Sequence, residues 1–443
     1  MGTPPVRQMA DKPTPAIPLS AARSPWLRGS IKVPGDRVVS RLVLILAALA
    51  RGETVIERLS ASPDIGAIVA ALRQLGVSIA IEAGKCTVQG AGPNGLLAPE
   101  GPIELGALGD TGLLFIAMLG VQDFETRFSG YAASPMGEAL LDFLGRTGSR
   151  IERSESGITV RGPRFALPLD LKLPREAMAL KAPLLLASLV ISGTSFVHLP
   201  GENDLSDGLI LGFGGALTTT SDDEGTRLAI EGMTPLKAQT FVVPGDPVFA
   251  AFPAVAALVA ADSEIGVDTL SISPERMVVI DALKLMGADI AMAPAKEGGR
   301  DTADLVAKTS KLRGIVIRPD FGIEPEDLPI LAVAAAFAKG ETLFDGLGEG
   351  LRRLNLSRAL RANGVECEER PNGLAVTGGQ KIPGGGTVTT RGDAKLAMAF
   401  LVLGLGAEKP VNIDDGSAMT AIFPDFVRSF EHVGCRFISG TTP

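Results

Sequence analysis

Residues 33–56 read VPGDRVVSRLVLILAALARGETVI, and residues 243–267 repeat the same order of residue types as VPGDPVFAAFPAVAALVAADSEIGV. In each copy a Pro-Gly turn leads into a run of small apolar residues, and a segment with the alternation of a strand follows. The start of a helix exposes backbone N–H groups that suit an anion, although the first helical turn of the first copy carries valines. Both turns are therefore candidate anion sites.

The same order of elements occurs four more times, starting near residues 109, 179, 326 and 391. The first helix of a unit is apolar nearly all round, as in LVLILAALA at 42–50 and ILAVAAAFA at 330–338. A helix without a polar face is buried on every side, so the helices are expected inside and the sheets outside. The sequence thus predicts an α/β protein built from six repeat units, three in each of two domains.

A chain of 443 residues exceeds one ordinary core, which also favours two domains. We predict a disordered tail and the start of the second domain at 1–30, a first three-unit domain at 31–241 and a second at 242–443. The interdomain cleft lies between them. The helix starts then converge on this cleft, where their partial positive charge suits small polyanionic ligands.

Composition excludes several classes of function. The net charge is −8 with 46% hydrophobic residues, which argues against nucleic-acid binding, and no apolar run is long enough for a membrane span or a secretion signal. Three separated cysteines (Cys86, Cys367 and Cys435) and two histidines argue against a zinc site and a histidine-dependent triad. We expect no metal, no cofactor and a cytoplasmic location.

The six units, the two VPGD turns, FPDF at 423–426 and LAMAFLVLGLGAEKPVNIDD at 396–415 together resemble 5-enolpyruvylshikimate-3-phosphate synthase. The resemblance runs from about 29 to 438 and is closest to the bacterial class II form of this 3-phosphoshikimate 1-carboxyvinyltransferase. It implies a two-domain inside-out α/β barrel, the enolpyruvyl transferase fold. Shikimate 3-phosphate and phosphoenolpyruvate are the implied ligands, and the shikimate pathway of aromatic amino-acid biosynthesis is the implied role. UDP-N-acetylglucosamine enolpyruvyl transferases share the fold but use a loop cysteine, and none of the three cysteines occupies such a loop.

The resemblance also identifies candidate site residues. Glu326 matches the proton-transfer aspartate, Arg37 the first-loop lysine and Lys395 a later arginine, while Gly109 is kept. Arg41 and Lys181 are further cations that can reach the cleft, but a single cation on a helix is more often a solvated or paired surface group. No family role can be assigned to Arg352 or Arg353. The positions at which the polar residue of the family has been replaced are Val38, Leu42, Ala107, Leu113, Ser134, Ala177, Ala179 and Ala394.

These losses are large in energetic terms. One charged hydrogen bond contributes about 1.5 to 3 kcal/mol, so the replaced cations alone remove more than about 6 kcal/mol of anion binding. An apolar cleft wall of Val38, Leu42, Leu113, Met178 and Phe249 is expected instead. Carboxylates at helix starts compete with an incoming anion by capping the free N–H groups, and the sequence places Asp110, Asp246, Asp327 and Asp393 there.

Three hypotheses follow from the sequence. The first is a pseudoenzyme: a folded member of the family that is catalytically impaired or silent. The second is an active carboxyvinyl transferase with a compensated site or an altered acceptor. The third is a non-catalytic binding or interaction protein, whose protein partner the sequence does not identify.

Overall fold

The computed structural model describes residues 16–439 apart from 83, 202–204, 224, 273, 296–301 and 348–349. Residues 1–15 of the predicted tail lie outside this range. The prediction of a disordered tail is wrong for the next few residues, because Leu19–Ala22 form a strand, β1. Ser20 in this strand pairs with Asn412 on one side and with Ile438 on the other, so the start of the chain completes a sheet near its end.

The first half of the chain contains two leading strands and three units. Its elements are β1 (Leu19–Ala22), β2 (Arg28–Ser30), α1 (Arg37–Leu49), β3 (Ala50–Glu57), α2 (Pro63–Gln74), β4 (Ser78–Glu82), β5 (Lys85–Ala91), β6 (Ile103–Glu104), α3 (Leu105–Leu108), α4 (Gly112–Gly120), β7 (Glu125–Ser129), α5 (Pro135–Arg146), β8 (Arg150–Ser154), β9 (Gly157–Arg161), β10 (Asp170–Lys172), α6 (Lys181–Val190), β11 (Gly193–Leu199), α7 (Leu205–Gly212), β12 (Ala216–Asp222), β13 (Gly225–Gly232), β14 (Leu236–Lys237) and β15 (Thr240–Val242). Short 3-10 helices precede α4 and α6, at Gly109–Thr111 and Arg175–Leu180.

The second half repeats this order. Its elements are α8 (Pro247–Val259), β16 (Glu264–Ser271), α9 (Pro274–Leu285), β17 (Asp289–Pro294), β18 (Thr302–Lys308), β19 (Val316–Ile317), α10 (Leu328–Phe337), β20 (Gly340–Asp345), α11 (Leu351–Ala362), β21 (Glu366–Arg370), β22 (Gly373–Gly378), β23 (Thr387–Val388), α12 (Ala394–Gly406), β24 (Val411–Ile413), α13 (Ser417–Ile422), α14 (Phe426–His432) and β25 (Arg436–Ser439). A 3-10 helix at Pro319–Phe321 precedes α10.

The repeat predicted from the sequence is also visible in the sheets. Each of the six sheets formed by the described residues centres on the strand that follows a buried helix, as in the order β6-β7-β9-β8. One neighbour is a short parallel strand, and the other belongs to an antiparallel pair. The chain start replaces one strand in two of the sheets: β2 pairs with β16, and β1 lies between β24 and β25.

The apolar helices lie inside, as predicted. In α10 every residue from Leu328 to Ala336 is buried, and the same holds for most of α1, α4, α6, α8 and α12. Short side chains allow three such helices to pack against one another, and the sheets cover the outside. The inside-out α/β arrangement expected from the resemblance is therefore present. In the described part of the chain, no helix combines the length and apolar character of a membrane span.

The buried residues form two separate cores. One core runs from Val39 to Val243, and the other combines Leu19–Val33 with the chain after Val248. The predicted boundary at residue 31 is too early, because Ile31 and Val33 pack in the second core beside the sheet of β2 and β16. With this adjustment we retain the division into two domains as a proposal.

The two VPGD turns meet where the chain passes between the cores. Gly35 and Gly245 form an antiparallel bridge, in which the N–H of Asp36 donates to the Pro244 carbonyl at 2.7 Å. In return, the N–H of Asp246 donates to the carbonyl of Pro34 at 2.9 Å. A Cβ at Gly35 would come within 1.8 Å of the Arg58 carbonyl oxygen, so only glycine fits this close approach.

Candidate functional site

The starts of four buried helices surround a cavity of about 560 Å³ between the two cores. Arg37 begins α1, Asp246 precedes α8, Asp327 precedes α10 and Ala394 begins α12. The convergence predicted from the repeats therefore holds for these four helices. The volume suits a small metabolite.

The charges that line this cavity are balanced. Among the residues that the structure describes, five basic and five acidic residues face it, namely Arg37, Arg276, Arg352, Arg391, Lys395, Asp64, Asp246, Glu326, Asp327 and Asp393. Apolar side chains, including Val248, Phe249 and Ile422, complete the wall. A site for two phosphorylated substrates needs an excess of cations, and this cavity has none.

Glu326 lies at the centre of the basic residues. Its carboxylate accepts a hydrogen bond from Lys395 Nζ at 2.7 Å and lies 3.9 Å from both Arg37 and Arg352. Asp327 accepts a second, shorter hydrogen bond from Lys395. The candidate proton-transfer group and the candidate substrate cations are thus brought together, but they are paired with each other.

The pKa values of the two carboxylates in this group, Glu326 and Asp327, are shifted in opposite directions. Burial alone raises the pKa of Glu326, but Lys395, Arg37 and Arg352 outweigh burial and hold that pKa below its usual value. Burial dominates at Asp327, where Glu326 and Asp246 add repulsion, so the pKa of Asp327 is raised. Glu326 is therefore held as the anion, which suits an ion-pair partner better than a proton donor.

A second charged group lies at the crossing between the cores. Asp36 accepts hydrogen bonds from the N–H groups of Val38 and Val39, and Asp246 accepts one from Val248, so each caps its helix. Arg276 on α9 donates to Asp246 at 2.7 and 2.8 Å and to Asp36 at 3.3 Å. The N–H groups that follow the two VPGD turns thus bind the chain's own carboxylates.

Burial and the neighbouring Asp246 raise the pKa of Asp36 to about 6. The folded chain therefore binds the Asp36 proton more tightly than the unfolded chain does. The stabilisation that this proton gives to the folded state is lost as the pH rises from about 4 through 6. We expect Asp36→Asn to remove this loss of about 3 kcal/mol while keeping an efficient helix cap. Urea unfolding of both proteins between pH 4.5 and 7.5 tests this: the variant should gain relative stability with pH, and parallel curves would refute the assignment.

Arg41 and Lys181 are not available to a ligand in this cavity. Arg41 pairs with Asp64 at 2.5 Å, and Lys181 donates to Asp207 at 3.0 Å with no exposed side-chain surface. Neither residue lines the cavity, and Gly109 does not line it either. Gly109 instead adopts a left-handed backbone at φ 54°, where the chain enters a short 3-10 helix. Of the proposed binding residues, the cavity contains Arg37 and Lys395.

The predicted apolar wall is present only in part, because Phe249 is the one residue of the predicted set that faces the cavity. Leu42 is buried within the first core, and Val38, Leu113 and Met178 are half-buried against it. Other replaced positions have structural roles or are buried: Ser134 caps α5 by accepting from the N–H of Gly137. Ala177 is buried in a 3-10 helix, and Ala394 begins α12 in the cavity wall.

The predicted helix caps are confirmed at two of the four positions. Asp246 and Asp393 accept hydrogen bonds from the first turns of α8 and α12. Asp327 precedes α10 but makes no cap bond because it turns toward Lys395, and Asp110 lies within a 3-10 helix. Asp36 also caps its helix, and its place in the repeated VPGD turn was a signal for this role.

Three basic residues of the site were given no role by the sequence. Arg276 lies on α9, far along the chain from Asp36, and no local pattern indicates their contact. Arg352 was recognised as basic but given no role, and the structure places it beside Glu326 at 3.9 Å. Arg391, whose φ of 52° is unusual outside glycine, also lines the cavity.

Comparison with known families supports the assignment of this architecture. The family model of EPSP synthase, 3-phosphoshikimate 1-carboxyvinyltransferase, matches residues 22–430. The chain belongs to the EPSP synthase family. A 3-phosphoshikimate 1-carboxyvinyltransferase from Chelativorans sp. is 38% identical, covering 95% of this chain and 98% of the relative. One from Brucella abortus is 37% identical over 95% of this chain and 97% of its own length.

Solved structures agree with this membership. EPSP synthase from Acinetobacter baumannii superposes with a TM-score of 0.80 at 27% identity, covering 96% of this chain and all of that one. The enolpyruvyl transferase NikO from Streptomyces tendae has a TM-score of 0.72 at 18% identity, with 97% and 100% coverage. The second likeness concerns the fold alone. The chain is thus an EPSP synthase family member whose cleft has the internal ion pairs described above.

Proposed function

We propose that this EPSP synthase family member is catalytically impaired or silent in carboxyvinyl transfer from phosphoenolpyruvate to shikimate 3-phosphate. The observation that carries the proposal is the charge balance of the cavity, in which five acidic residues offset five basic ones. Both substrates carry phosphate and carboxylate groups, and binding them requires uncompensated cations. Here an incoming anion must first displace Glu326 and Asp327 from Lys395.

The replaced positions support the same proposal. Leu42 and Leu113 offer no hydrogen bond, and Leu42 is too deeply buried to contact a ligand. Ser134 is engaged as a helix cap. Arg41 is paired with Asp64 of the cavity wall, and Lys181 is held in an ion pair away from the cavity, so neither replaces the missing cations.

The direct test is to measure substrate binding and turnover. We expect both phosphoenolpyruvate and shikimate 3-phosphate to bind with dissociation constants above about 1 mM, which corresponds to roughly 4 kcal/mol of binding free energy. We also expect kcat/KM, measured from phosphate release, to be at least about ten-thousandfold lower than in an active enzyme. The Chelativorans relative, 38% identical, serves as the matched control under the same conditions. Micromolar binding of either substrate in calorimetry would refute the proposal.

A second function is an active transferase with a compensated site. It is favoured by the position of Arg37, Arg352 and Lys395 around one carboxylate, since these cations would hold an anion if Glu326 moved aside. The assay separates the two functions: turnover of phosphoenolpyruvate and shikimate 3-phosphate comparable to that of the relative would support a compensated site. Absence of both binding and turnover would favour a non-catalytic role.

A further inference from the structure

Arg276 connects the two VPGD turns across the crossing between the cores. Its guanidinium contacts Asp246, which caps a helix of the second core, and Asp36, which caps α1 of the first core. Asp36 has no exposed side-chain surface, and the corresponding exposures of Asp246 and Arg276 are 3% and 14%. One buried side chain therefore holds a helix start from each core.

The other contacts at the crossing constrain the angle between the two cores less strongly. The paired turns exchange two backbone hydrogen bonds, the N–H of Arg37 lies 3.4 Å from Asp246, and Arg58 donates one hydrogen bond to the Val33 carbonyl at 3.0 Å. Arg37 also reaches Glu326 of the second core, but only at 3.9 Å with both side chains about one-third exposed. A two-bond turn pair can pivot, whereas a planar guanidinium that contacts two carboxylates fixes their relative direction.

We propose that Arg276 is a positioning residue that fixes the orientation of α1 relative to the second core and so sets the width of the cavity. The cavity wall on one side is the start of α1, and on the other side it is the starts of α10 and α12. The crossing is the floor between them, and Asp246 and Arg276 line it. A small rotation at this floor changes the distance between Arg37 and Lys395.

The proposal is independent of the proposed function, because it concerns geometry rather than turnover. It also gives Arg276 a role that differs from that of an ordinary buried ion pair. An ordinary pair stabilises the core that contains it, whereas this arginine fixes the orientation of one core relative to the other. The test therefore needs a measurement that reports locally on the crossing.

Residue-resolved hydrogen exchange of the full chain provides that measurement. Arg276→Met should lower the protection factors of the Asp36 and Asp246 amides at least about tenfold more than those of amides inside α4 and α12. Arg276→Lys should give an intermediate effect, because one ammonium cannot reproduce the contact of two guanidinium nitrogens with two carboxylates. If the Met variant does not fold, the Lys variant alone tests the same local difference.

Arg41→Met is the matched control. Arg41 is 13% exposed and pairs with Asp64, but both residues belong to the first core. We expect it to lower protection within the first core and leave the Asp246 amide unchanged. A uniform loss of protection in Arg276→Met, or equal effects of both variants at the crossing, would overturn the positioning role and leave Arg276 as a stabilising ion-pair partner only.

Discussion

Replacement of Lys181 by Met should lower the free energy of unfolding by about 3 to 5 kcal/mol, because it removes the ammonium that pairs with the buried carboxylate of Asp207. Lys181 has no exposed side-chain surface, Asp207 is 6% exposed, and the two are 3.0 Å apart. A substrate-binding lysine in an open cleft would behave differently, since its loss affects ligand affinity much more than stability. Urea unfolding monitored by circular dichroism gives the result.

A matched surface pair provides the control for this prediction. Lys308 and Glu264 are 3.2 Å apart, and about half of each side chain is exposed. Lys308→Met should cost less than about 1 kcal/mol, as is usual for exposed pairs. The double variant Lys181→Met, Asp207→Leu should recover part of the lost stability by removing the buried charge. If Lys181→Met costs no more than Lys308→Met, the structural role of Lys181 is refuted.

The second large effect is expected for Glu326→Gln combined with Asp327→Asn. Both carboxylates accept hydrogen bonds from Lys395, and Glu326 also attracts Arg37 and Arg352. Neutralising them leaves the cavity with an excess of two positive charges, and each charge at contact distance is worth a few kcal/mol near a protein surface, up to about 4. We expect the affinity for phosphoenolpyruvate to rise at least about a hundredfold, without turnover, because the proton-transfer carboxylate is gone.

The control for this variant carries the same change of net charge elsewhere. Glu366 and Asp289 are exposed on the outer sheets, so Glu366→Gln with Asp289→Asn tests the long-range effect of two lost charges. Calorimetric titration should show less than about a threefold change for that protein, since salt screens distant exposed charges. Similar affinities for the two double variants would contradict the view that internal carboxylates occupy the anion site.

Much of the fold could be read from the sequence because it depends on local patterns repeated six times. Helices such as α10, apolar on all sides, have one stable location, inside a shell of sheets. The strand alternation after each helix then specifies the outer layer. Chain length and the repeated VPGD turn were enough to predict that the two halves of the chain have the same order of elements.

The exact course of the chain start could not be read in this way. The segment Leu19–Ala22 is short and has no strong alternation, and its pairing with β24 and β25 depends on partners about 400 residues away. The same reason explains why Ile31 and Val33 were assigned to the wrong core. Pairing between distant strands is decided by the available sheet edges, which the local sequence does not contain.

For the candidate site, too, some properties follow from the sequence and others only from the tertiary structure. The sequence by itself determined that Leu42, Leu113 and Ala394 lack the polar groups of the family, since side-chain chemistry needs no coordinates. Only the tertiary structure decided which of the remaining charges are free to bind a ligand. Lys181 pairs with a residue 26 positions away and Lys395 with residues nearly 70 positions away, and Arg276 reaches Asp36 across 240 positions. Charge is a property of the residue, but its compensation depends on which opposite charge the fold brings within a few ångströms.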